Sequence, residues 1–118
     1  MGCDIHAHVE YKQYDQWWEL ADVHIGRNYK LFGLMAGVRM DIALIEPRGI
    51  PDDCGYTAKS DFIEWDTDAH TPSWLTYDEM NDVIQHMNSI CTEAIAVLAV
   101  MKVMNAEVPT RIIFWFDN

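Results

Sequence analysis

The chain has 118 residues, half of them hydrophobic, which is enough for one domain with one core and too little for a second. Nineteen acids against eight bases give a net charge of −11, which repels phosphate backbones and excludes generic DNA or RNA binding. The longest apolar run, residues 94–101, is far below the ~18 residues of a membrane span, and the N-terminus shows no basic-then-apolar leader. A cytoplasmic protein with no membrane contact is therefore expected. Cys3, Cys54 and Cys91 are odd in number and form no CxxC pair, so reduced thiols with packing roles are expected.

Residues 3–11 alternate, with Cys3, Ile5, Ala7, Val9 and Tyr11 on one face and Asp4, His6, His8 and Glu10 on the other. Residues 17–25 alternate again and set Trp17, Ala21, Val23 and Ile25 against Trp18, Leu20, Asp22 and His24. The two segments predict a hairpin. Burying both apolar sets on one face puts His8 near Asp22 and His6 opposite or diagonal to His24. A short helix follows Asn28, its side chain placed as the cap, with Leu31, Phe32, Met35 and Val38 as the buried stripe. Gly37 ends it.

Residues 40–74 show no sustained period beyond a short strand pattern at 42–45, and Pro47, Gly49, Pro51, Gly55 and Pro72 punctuate them. That pattern predicts a long irregular loop, and its Phe62, Trp65 and Trp74 suit a binding loop. Thr76 and Glu79 then form a capping box, with Leu75 and Met80 as its staple. The stripe Met80, Ile84, Met87, Cys91, Ala94, Leu98 and Met101 predicts one helix of ~40 Å. Beyond Ala94 it is apolar all round, a surface for the sheet or for a homo-oligomer partner. Pro109 stops the helix, and residues 111–116 read as a central strand covered on both sides. The expected fold class is α+β: a small antiparallel or mixed sheet packed by one short and one long helix, with a long loop.

Three constellations could carry chemistry. Asp4, His6 and His8 share one strand face at ~6.5 to 7 Å spacing, which suits a shared metal, with His24 or His70 as a further ligand. His70, Ser73 and Trp74 sit just before the capping box, and His70 could pair with His6 as acid and base on a phosphodiester without a metal or other cofactor. Arg27, Asn28 and Tyr29, together with Arg48, combine guanidinium and aromatic groups suited to a phosphate and a base.

Taken together, Gly2 to His6 (Gly-Cys-Asp-Ile-His), Arg27-Asn28-Tyr29 with Leu31-Phe32, Pro47 to Pro51, His70 with Ser73 to Thr76, and the ending Phe116-Asp117-Asn118 resemble a group of small, functionally unassigned proteins of bacteriophages and prophages. The resemblance spans the whole chain and implies a phage origin, hence the host cytoplasm. Its genomic company implies a counter-defence protein.

The sequence reading is a protein that binds, and in one version hydrolyses, a small nucleotide signal between the hairpin and the 40–74 loop. His6 and His70 are the expected catalytic pair, with Asp4, His8, Arg27, Asn28, Tyr29, Arg48, Ser73 and Trp74 around the ligand. Two alternatives are an acidic, non-enzymatic inhibitor of a host protein and a small metallohydrolase on Asp4, His6 and His8.

Overall fold

Strict alternation in the first segment produces β1 (Asp4–Gln13), which turns through Tyr14 and Asp15 into β2 (Gln16–Val23). Both turn residues have positive φ, 55° and 61°, as a tight two-residue hairpin requires. The computed structural model describes residues 2–40 and 42–118. The hairpin's upper register pairs Ala7 with Val23, His8 with Asp22 and Val9 with Ala21, as the apolar pattern demands. Below Val9 the register shifts at a bulge, and Glu10 faces Glu19. One extra residue, Leu20, inverts every side chain beyond it. Trp17, expected on the core face with Ala21, instead lies with Glu10 and Arg111 on the opposite one.

Asn28 caps α1 (Tyr29–Ala36), its side-chain oxygen accepting the Leu31 N–H at 3.1 Å, and Gly37 closes the helix in the left-handed conformation at φ 72°. The stripe Leu31, Phe32, Met35 and Val38 is buried as its spacing requires. Gly33, inside the helix, lets Met40 and Ile42 approach so closely that a side chain would collide with them. Replacing Asn28 by Ala is expected to cost about 1 kcal/mol, read as a lower midpoint in urea unfolding with unchanged slope.

Between residues 40 and 74 the expected loop is only partly a loop. No strand forms at 42–45, whereas α2 (Tyr56–Trp65), a 3₁₀ turn at Asp66–Asp68 and β3 (Ala69–Thr76) do form. α2 lies on the sheet and fully buries only Ala58, so its apolar periodicity is faint. Gly55 precedes it without a side-chain cap. β3 contains Pro72, which an edge strand tolerates at a bulge; its register against the next strand shifts between His70 and Ser73.

The single long helix is two. The capping box forms as expected and starts α3 (Tyr77–Gln85), the chain bends over residues 86–91, and α4 (Thr92–Asn105) follows. One straight helix over the whole stripe would match the molecule's longest dimension of 40 Å and overhang the sheet. Broken, both halves bury residues against it: Met80 and Val83 from α3, Ala94, Val97 and Met101 from α4. The outer face of α4 leaves Ile95, Val100 and Val103 exposed. Among the described residues, no helix is long and apolar enough to cross a membrane.

The last strand, β4 (Thr110–Asp117), is central in a four-stranded antiparallel sheet ordered β2-β1-β4-β3. Ile112, Phe114 and Phe116 face the layer of α1, α3 and α4. Ile113 and Trp115 face α2 with Ala58, Phe62, Trp65 and Trp74. The fold class is α+β, as expected, with a covered layer on each side of the sheet.

Candidate functional site

Covering both faces of β1 has an electrostatic consequence. Of its polar row Asp4, His6, His8 and Glu10, which a one-sided sheet would leave in water, His8 and Glu10 are only 1% and 0% exposed. Buried ionisable groups need partners, and the fold supplies them.

His8 Nδ1 lies 2.7 Å from Glu19 Oε2, and its Nε2 lies 2.7 Å from Asp61 Oδ2. The ring stacks on Trp115 with centroids 5.6 Å apart. Burial alone would lower the imidazole pKa, but the hydrogen bonds to Glu19 and Asp61 and the charges of Glu19 and Asp22 outweigh it, and the group is pushed up to about 9. Glu19 Oε1 and Trp115 Nε1 are both buried with no hydrogen-bond partner among the described residues.

Glu10 forms the neighbouring network. It accepts the Gly55 N–H at 2.9 Å and the Arg111 Nε–H at 3.0 Å, and Arg111 reaches Asp53 at 3.0 Å. The guanidinium lies 3.7 Å above the Trp17 ring. Burial pushes the Glu10 carboxyl up, against the pull of Arg111 and the Gly55 N–H. Gly55 is required here because any β-carbon would run into the Glu10 carboxylate.

Nearer the open end of β1, His6 bonds Asp117 Oδ2 through Nε2 at 2.8 Å and packs against the Trp65 ring at a tilt of 36°, with centroids 4.0 Å apart. Asp117 also accepts the Asp4 N–H through Oδ1 at 3.3 Å. His6 and Trp65 open onto a groove of about 640 Å³ lined by the hairpin ends (Asp4, His6, Asp22, His24) and by Asp61 and Trp65 of α2. His24 is exposed and stands 3.8 Å from Glu93.

The sheet separates the expected catalytic pair. His6 is opposite Trp115 and faces α2, whereas His70 is opposite Phe116, stacks on that ring and faces α1. Adjacent β4 residues point to opposite faces, so the register alone keeps the two imidazoles apart. His70 bonds Thr71 and opens on a different cleft, beside Arg39 and Asn118.

The other expected ligand residues have partners inside the fold. Arg27 pairs with Asp4, Nε to Oδ1 at 2.7 Å, and holds that carboxyl below its usual range. Asn28 is the α1 cap, and the Tyr29 hydroxyl accepts the Cys3 N–H at 3.2 Å. Arg48 binds Glu79 of the capping box and lies 4.3 Å over Trp74, while Ser73 Oγ accepts the Arg48 N–H. These contacts tie Arg48 to β3 and to the start of α3. Of the candidate metal ligands, Asp4 is taken by Arg27 and His6 by Asp117.

Sequence patterning gives no sign of Glu19 or Asp61 as site residues, places Trp65 in a binding loop, and presents Asp117 only as part of the C-terminal motif. Strict alternation puts Glu19 on the core face, and only the bulge reverses it. Asp61 and Trp65 fall in the stretch taken for a loop, although Ala58, Phe62 and Trp65 carry a helical i, i+4, i+7 spacing that could have revealed α2. Comparison with protein-family models, with curated proteins and with solved structures gives no match.

Proposed function

We propose that the groove between the hairpin ends and α2 binds a small nucleotide-type phosphoester and hydrolyses it, with His6 as the proton acceptor. The observation that carries this reading is His6 on the groove wall, hydrogen-bonded to Asp117. An ionised carboxylate only accepts, so Nε2 holds the proton and Nδ1 is the basic nitrogen of the neutral ring. His8 is unsuited to the role because carboxylates engage both its nitrogens. As the water oxygen bonds to phosphorus, its proton passes to His6 Nδ1, the ester P–O bond breaks, and the leaving oxygen takes a proton from solvent. Trp65 supplies a flat wall for a base. The groove's carboxylates, Asp4, Asp22 and Asp61, oppose an anionic ester unless a counter-cation accompanies it.

Incubation with a panel of cyclic and linear nucleotides, chromatographed before and after heat denaturation, separates capture from cleavage. Hydrolysis appears as new products, capture as intact ligand released by heat. With a substrate in hand, His6→Ala is expected to lower turnover ~100-fold or more with normal melting, whereas His70→Ala, on the far side of the sheet, leaves turnover at the parent rate. Equal losses in both variants, or none in His6→Ala, would contradict the assignment, and a panel with neither binding nor products would remove the reading altogether.

A further inference from the structure

His8, Asp22 and Asp61 come from β1, β2 and α2, yet one ligand atom from each lies within 4.8 Å of the others. The fold builds this convergence twice over. The hairpin register makes His8 and Asp22 direct cross-strand neighbours, and α2 lowers Asp61 onto the same spot. We propose that these three residues bind one divalent first-row transition ion, such as Mn²⁺ or Zn²⁺.

Four features separate this cluster from an ordinary group of surface acids. The imidazole is buried, stacked on Trp115 and held from behind at Nδ1 by Glu19, which is the outer-shell carboxylate arrangement that orients a metal-binding histidine through Nε2. Glu19 Oε1 is enclosed with no hydrogen-bond partner among the described residues, a buried acceptor beside the imidazole that is left unsatisfied. Asp22 is exposed and Asp61 is partly so, and both line the groove, so an ion there keeps coordination positions open to water or substrate. The donor set of one nitrogen and two carboxylates, with no thiolate in the cluster, suits borderline to hard ions over copper(I).

An ion enters by replacing the Nε2 proton shared with Asp61, and that proton leaves to the buffer. The inference rests on the phosphoester reading only for the ion's purpose, which is to offset the acidic walls and polarise a phosphoryl oxygen. Its existence is a separate question with a separate readout.

Untagged protein stripped with chelator and titrated calorimetrically with MnCl₂ and with ZnCl₂ should take up one equivalent of at least one ion. Asp61→Asn and Asp22→Asn should each weaken it ~10-fold or more, and Glu19→Gln should weaken it ~10- to 100-fold. Asp78→Asn, which removes the same charge at an exposed position on α3, should leave it unchanged. His8→Ala risks the fold because the ring is buried, whereas Asp22 is exposed and its variant should melt normally. No saturable uptake of either ion, or equal affinity in the Asp22, Asp61 and Asp78 variants, overturns the site. Uptake without turnover on the nucleotide panel removes the hydrolase reading and upholds the ion. Turnover that persists in chelator, with no uptake, does the reverse.

Discussion

Glu10→Ala is expected to destabilise the protein by ~3 to 5 kcal/mol, because it strands a buried guanidinium. The Arg111 side chain is 5% exposed and Glu10 is fully enclosed, so water cannot replace the lost carboxylate. Arginine cannot escape by losing its proton. Asp53, the other carboxylate within reach, is 62% exposed and offers a weaker, screened partner. The Gly55 N–H at the start of α2 loses its acceptor in the same step. In a chain of this length the thermal midpoint should fall by on the order of 10 °C or more. The double variant Glu10→Leu/Arg111→Met should regain most of the loss, since removing both charges leaves none uncompensated. A double variant no more stable than the single one would mean that Arg111 matters chiefly by packing on Trp17 and Trp74.

In chelator, stability should fall as pH rises from about 6.5 to above 9, through the titration of His8. The folded-state pKa, pushed up to about 9, lies above the unfolded value of about 6.5, so the folded state binds the proton more tightly. That contribution is complete below the unfolded pKa, declines between the two values and is lost once pH exceeds the folded one. Its size is on the order of 3 kcal/mol, from ~1.4 kcal/mol per unit of pKa. Urea unfolding at half-unit steps from pH 6 to pH 9.5 measures the slope, and Glu19→Gln, which removes one of the two clamping carboxylates, should flatten it. A parent protein whose stability is level across that range would show that His8 is not a clamped imidazolium.

Much of the fold was legible because it obeys local rules. The hairpin, the Asn28 cap, the Thr76–Glu79 capping box and the central strand each announce themselves within about ten residues. The proximity of His8 and Asp22 was legible too, since burying two apolar faces together leaves one register. The site itself was less so. Arg27, Arg48, Ser73 and Trp74 look like ligand groups by residue type, yet each finds a partner inside the fold.

Period two and period 3.6 are properties of the backbone, and they assign faces without any tertiary contact wherever an element runs unbroken, as from Asp4 to Val9 in β1 and through α1. Which faces meet depends on the assembled fold. A bulge moved Glu19 from the core side to His8, a weakly patterned helix carried Asp61 onto the same imidazole, and the pleat of β4 put His6 and His70 on opposite sides of one sheet. Each outcome turns on a one-residue register or on packing between segments more than forty residues apart, and short-range patterns hold no record of either.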